Sequence, residues 1–234
     1  MILGASQPVF IPWGGYFGLI DYVDNFVFLD HVQFERRGRQ QRNSIKINDK
    51  EHFLTVPVFS KNKRNQKINE VLIDDKSNFV EDHIKTLKYN YSKAKYFEKY
   101  SIDLFKIYKK KHKKLIDLNI DLIKYFCKVL KINNKFIFSS DLNVNNFAKE
   151  DLILEICKIK KCDDYISTIG SKIYLKNIIK FNENNINVKF YEFEGKKYKQ
   201  FGNSFIKNLS VLDIIFNLGD DAINYIKENF KITS

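Results

Sequence analysis

Cysteine and proline are scarce in this 234-residue chain, with three of each, and it has no long apolar run. Cys127, Cys157 and Cys162 form an odd set without paired spacing, which excludes a disulfide framework and a zinc site. So few thiols suit a reducing compartment, and a cytoplasmic location is expected. No stretch approaches the roughly 18 apolar residues of a spanning helix. The first residues lack the basic, apolar and small-residue regions of a signal peptide, so neither insertion nor export is expected. The four histidines are scattered, without metal-ligand spacing, so no metal is expected. No G-x-S-x-G elbow is present, Cys127 and Cys157 occupy apolar helical positions, and acidic neighbours disfavour a thiolate at Cys162. A covalent nucleophile is therefore missing. With no repeat and no Pro/Gly-rich linker, residues 1–234 read as one domain.

Apolar residues make up 44% of the chain, which excludes disorder and supplies a core. The net charge of +12 is mostly lysine, spread together with asparagine and isoleucine as AT-rich codons would produce. It reads as compositional, and nucleic acid is not an expected partner. The arginines differ. All five lie between 36 and 64, with four at Arg36, Arg37, Arg39 and Arg42. A guanidinium presents a planar fork suited to phosphate or carboxylate.

Residues 1–6 read as a buried strand. Prolines and paired glycines in residues 7–16 then make a turn, and Tyr16, Phe17, Leu19, Ile20 and Val23 have helical spacing. Residues 25–30 are a second strand, completing a βαβ unit. Residues 32–47 are polar and basic, residues 53–58 read as a strand with Pro57 favouring an edge, and residues 71–74 as a short strand. Residues 77–132 carry three helical patterns. Strands at 135–139, 164–168 and 187–193 follow, with helices at 151–159, from Gly170, and from Ser210 to a stop at Gly219. Ser210 and Asp213 have the spacing of a capping box. The fold expected is a layered α/β domain with a mostly parallel, Rossmann-like sheet and a helical insertion around residues 77–132.

Several residues are candidates for chemistry. The turn before the first helix, with Gln7, Trp13, Gly15 and Tyr16, suits a phosphate at a helix N-terminus. Class I synthetases and nucleotidyltransferases place an H-x-G-H loop there, whereas Trp13-Gly14-Gly15-Tyr16 lacks the imidazoles. Asp30, His31 and Gln33 follow the second strand, where α/β sheets bind ligands. Arg42 and Asn43 offer donors to a diphosphate. His83 lies on an apolar-periodic helix as either a core residue or a general base. Ser167, Ser171 and Ser210 are candidate polar contacts.

As a set, these residues are similar to the WbqC-like family. The likeness runs through Gln7-Pro8, Pro12-Trp13, Gly15-Tyr16, Asp24, Phe26-Val27, Leu29-Asp30, Val32-Gln33-Phe34, Arg42-Asn43 and Leu54-Thr55-Val56-Pro57-Val58. It continues through His83, Tyr91, Lys93-Ala94, Tyr96-Phe97, Tyr165-Ile166-Ser167, Phe205, Leu209 to Asp213, and Phe216 to Gly219. Phe79 and Thr168 stand where the family carries Trp and Gly. The resemblance implies a place in bacterial surface-polysaccharide (O-antigen or capsule) biosynthesis, often involving nucleotide-linked amino sugars. It suggests an N-acyl- or aminoacyltransferase acting on such a sugar. The donor would be a thioester on coenzyme A or an acyl carrier protein, with no tightly bound cofactor. In that reading Arg42 and the glycine turn hold the diphosphate, Asp30, Gln33 or His83 positions and deprotonates the amine, and His31 is a further candidate proton carrier. A nucleotidyl- or adenylyl-transferring enzyme of the H-x-G-H type and a non-catalytic binding protein remain the alternatives.

Overall fold

A computed structural model describes residues 1–173, 175 and 178–233. Six strands form one sheet: β1 (Ile2–Ser6), β2 (Asn25–Phe28), β5 (Lys135–Phe138), β6 (Asp164–Thr168), β7 (Asn187–Phe193) and β8 (Phe230–Thr233). Their order is β5-β2-β1-β6-β7-β8. All pairs are parallel except β7 with β8, which is antiparallel. Two further strands, β3 (Arg42–Ile47) and β4 (Lys50–Thr55), make a separate antiparallel hairpin.

Both faces of the large sheet are covered, which is why its strands read as apolar runs. Successive side chains alternate between two cores. Phe26, Phe28, Ile166 and Tyr191 enter one; Leu3, Val27, Tyr165 and Phe190 enter the other. The first core takes in helices α1 (Gly14–Tyr22), α2 (Phe79–Tyr91), α3 (Phe97–Lys109), α4 (Leu115–Val129), α7 (Val211–Leu218) and α8 (Ala222–Asn229). The second takes in α5 (Lys149–Lys160) and α6 (Ile178–Asn182). The result is the expected Rossmann-like layering. The helices at residues 77–132 share the core of α1 and the sheet.

Two expectations need correction, and two C-terminal elements lie beyond any of them. The basic stretch before residue 47 contains strand β3, whose Asn43, Ser44 and Lys46 are buried polar residues that mask its pattern. Residues 71–74 make only isolated bridges, Val58 with Ile73 and Leu72 with Lys114. The chain also continues past Gly219 into α8 and the edge strand β8. Among the described residues no helix is long and apolar enough to cross a membrane, and no cluster of His, Cys, Asp or Glu could hold a metal.

Gly219 ends α7 at φ +62°, and a Cβ there would stand 2.6 Å from the Tyr96 ring. Gly219→Ala combines a left-handed backbone with a clash, and should cost about 2 kcal/mol in urea unfolding. An unchanged midpoint would contradict this.

Candidate functional site

The chain runs from β1 outward to β2 and β5, then returns across β1 to β6 and β7. The switch point lies between β1 and β6, and ligands of such sheets bind beyond the carboxyl ends of the strands. Asp30 and His31 follow β2, and Ser139 follows β5. Because β2 and β5 pair in register to Phe28 opposite Phe138, these residues meet.

Ser139 is fully buried, and Asp30 and His31 nearly so. The Ser139 hydroxyl accepts from the Asp30 backbone N–H at 3.2 Å and donates to Asp30 Oδ1 at 3.0 Å. Its one proton is thereby spent. The hydrogen in the 2.6 Å contact between His31 Nδ1 and Ser139 Oγ therefore comes from the imidazole, leaving Nε2 as an acceptor. Burial lowers the pKa of His31, with Lys67 adding to that and Asp30 opposing it. The ring is neutral at pH 7. Asp30 Oδ1 also accepts from the Ser140 N–H at 2.9 Å, and Oδ2 from Asn69 at 3.4 Å.

Asp30 and Ser140 open onto a cavity of about 570 Å³, which Asn69, Glu70, His112, Lys114, Asp117 and Asp121 also line. Four carboxylates here face one lysine. The cavity favours a cation on a chain that is strongly basic overall. A second cavity, of about 490 Å³, lies across the switch point among Trp13, Thr168, Gly170 and Phe193. None of these lining residues is an arginine.

The N-terminal turn and the arginine segment do lie against each other. Phe10 N–H donates to the Arg39 carbonyl at 3.0 Å, and Gln40 Nε2 to Gln7 Oε1 at 2.6 Å. Asn119 of α4 donates to the Pro8 and Gln40 carbonyls, fastening both. Two of the guanidinium groups share one ring: Arg42 lies 4.7 Å over Phe53 and Arg39 lies 5.3 Å over it. Asn43 is consumed in holding the turn. Its amide donates to Phe10 and Ile11 carbonyls, while its oxygen accepts from Arg39 and Ser44 N–H.

The turn itself is crowded. A Cβ at Gly15 would meet the Trp13 ring at 2.7 Å, and one at Gly14 would meet Phe193 and Ile214 at 2.8 Å. These glycines seat aromatic rings where an open phosphate cradle was expected. Trp13 also bridges to Ser210 and packs edge-on against Phe193. Tyr16 is buried, donates to the Gln7 carbonyl at 3.0 Å, and is held well above the usual phenol range by burial.

The remaining candidates are dispersed. Gln33 is exposed and donates to the Arg64 carbonyl. Ser167 is buried within β6. Ser210 caps α7, accepting from Leu212 N–H at 3.3 Å. Its spacing partner Asp213 closes no capping box. That carboxylate is buried and accepts from Tyr91 at 2.8 Å and Tyr198 at 2.6 Å. His83 sits in a cage of Phe10, Phe79 and Tyr108 rings, bonded to the Thr55 backbone and with Nδ1 unpartnered. It is no part of the Asp30 cavity lining. All three cysteines are free and buried. Cys157 and Cys162 hydrogen-bond to each other, which together with burial keeps the Cys157 thiol protonated.

Ser139 escaped the sequence reading as a functional residue. Its only sequence signal is that it ends a strand, and the strand order that brings it to Asp30 is not written locally.

The model of the WbqC-like protein family matches residues 7–225. An uncharacterized protein of Mycobacterium tuberculosis is 33% identical over 223 residues, covering 94% of this chain and 95% of the relative. No solved structure matches.

Proposed function

Because the chain belongs to the WbqC-like protein family, we propose that it transfers an acyl or aminoacyl group from a thioester to the amine of a nucleotide-linked sugar. The setting would be the making of bacterial surface polysaccharide, as the family resemblance implies. One observation carries this reading. The Asp30–Ser139–His31 chain stands at the carboxyl ends of two parallel strands, beside a cavity rich in carboxylates.

A sugar amine arrives as an ammonium, which this cavity attracts. It attacks only after losing a proton. Asp30, which lines the cavity, holds the ammonium and takes that proton, while Ser139, itself held by His31, orients the carboxylate. The nitrogen then forms the amide bond to the thioester carbonyl carbon while the carbon–sulfur bond breaks, and the thiol leaves with the proton that the nitrogen gives up on becoming an amide. Fixed placement of amine and thioester supplies much of the rate. No covalent enzyme intermediate is required. The donor is a thioester of coenzyme A or of an acyl carrier protein.

The test mixes purified protein with nucleotide-linked amino sugars and acyl thioesters, without ATP, and looks for amide by mass spectrometry. Asp30→Asn keeps the shape of the site but loses its charge, and kcat/KM should fall about 100-fold. No amide across several donors, or an unchanged rate in Asp30→Asn, would overturn the proposal.

A further inference from the structure

The cavity beside Asp30 carries charge of both signs, with Asp117 and Asp121 supplied by α4 and Asp121 already paired with Lys110 and His112. Asp30 and Glu70 belong to the sheet end and the segment after residue 67. Lys114 and His112 belong to the loop between α3 and α4, where residues 109–114 read Lys-Lys-Lys-His-Lys-Lys. Five lysines in six positions are the densest positive charge in the chain.

That loop is held in place. Ile73 N–H donates to the Lys113 carbonyl at 3.0 Å, and Leu115 N–H to the Val71 carbonyl at 2.9 Å. Lys114 bridges to Leu72. At its inner side, Lys110 Nζ and His112 Nε2 both reach Asp121 Oδ2, at 2.8 and 3.0 Å. Lys114 is exposed, lines the cavity and shares in none of the ion pairs found among the described residues. Arg39 and Arg42, by contrast, lie over Phe53, and no arginine lines the cavities described above.

A pocket that takes Asp30 and Glu70 from the sheet end and the segment after residue 67, and a fixed lysine loop from the turn before α4, complements a ligand that is cationic at one end and anionic at the other. We propose that the phosphates of the substrate are held by Lys114 and its lysine-rich loop, residues 109–114, with the amine toward Asp30. This deepens the transferase reading and rests on it, because it names the subsites for the two ends of a nucleoside-diphosphate amino sugar. It moves the anion site from Arg42, where the sequence points, to the turn before α4. Lysine suits this task as a mobile point charge that follows a diphosphate entering from solvent.

Calorimetric titration separates the two ends with three probes: uridine diphosphate, a uridine-diphosphate amino sugar and the free amino sugar. Lys113→Ala/Lys114→Ala should weaken the first two about tenfold and leave the third unchanged. Lys114→Glu should weaken them further. Glu70→Gln should weaken only the amine-bearing ligands. All these side chains are exposed, and a circular-dichroism melt checks that each variant folds. Nucleotide affinity unchanged in both lysine variants, or lost in Arg42→Ala instead, would overturn this assignment while amide formation by the wild type still supported the transferase. A wild type that binds none of the three probes would overturn both.

Discussion

Asp213→Ala is expected to cost about 4 kcal/mol of folding free energy, read as a lower urea midpoint with the slope unchanged. Asp213 is 1% exposed on α7, and its two oxygens receive the hydroxyls of Tyr91 and Tyr198. Tyr91 comes from the end of α2 and also accepts from the Lys46 N–H of β3. Tyr198 lies in the long connection between β7 and α7, where Gln200 donates to it and to the Ile206 carbonyl. One carboxylate therefore fastens three separate parts of the chain. Removing it leaves two buried hydroxyls facing a hole, and each unpaired group costs about 1–3 kcal/mol. Asp213→Asn keeps the volume and one carbonyl acceptor, and should lose roughly half as much. Burial raises the Asp213 pKa, and the tyrosine bonds hold it back down. A loss below about 1 kcal/mol in Asp213→Ala would show that the tyrosines find other partners.

The second large effect is acid sensitivity at His83. Burial among Phe10, Phe79 and Tyr108 lowers its pKa from 6.5 to about 4, with the Thr55 bond and Asp82 opposing and His52 adding to the fall. The unfolded chain takes up a proton near pH 6.5, whereas the folded chain resists it until about pH 4. Between these values the unfolded state binds more protons, so stability falls as the pH falls. The loss should reach about 3 kcal/mol by pH 4. His83→Phe keeps a ring in the cage and removes the titrating group. Its stability should lack this component of the decline between pH 6.5 and 4. Parallel curves for the two proteins would refute the assignment.

Much of the fold was legible because both faces of the main sheet are buried. Runs such as Phe26-Val27-Phe28 and Tyr165-Ile166 need no partner strand to be recognised. Strand β3 was not legible, since Asn43 and Lys46 are polar and their burial is repaid by Phe10, Ile11, Asp49 and Ser204. Strand β8 escaped because it is a short edge after a glycine stop. In the site, Asp30 and His31 were visible as residues at the end of a parallel strand. Their partner Ser139 depends on strand order. The direction of the Arg42 side chain depends on Phe53, which the hairpin turn brings back beside it. A guanidinium's chemistry can be read from sequence, but not which way it points.

Asp30 and Ser139 lie 109 positions apart in the chain. On the ribosome the carboxylate and imidazole emerge long before the hydroxyl that joins them, and all of α2, α3 and α4 is synthesised in between. The site therefore closes only when β5 docks on β2 in the right register. A nascent chain or fragment ending before residue 135 would lack the linking serine, and a one-residue slip of β5 would turn that serine away from Asp30. Assembly of this centre reports completion of half the sheet.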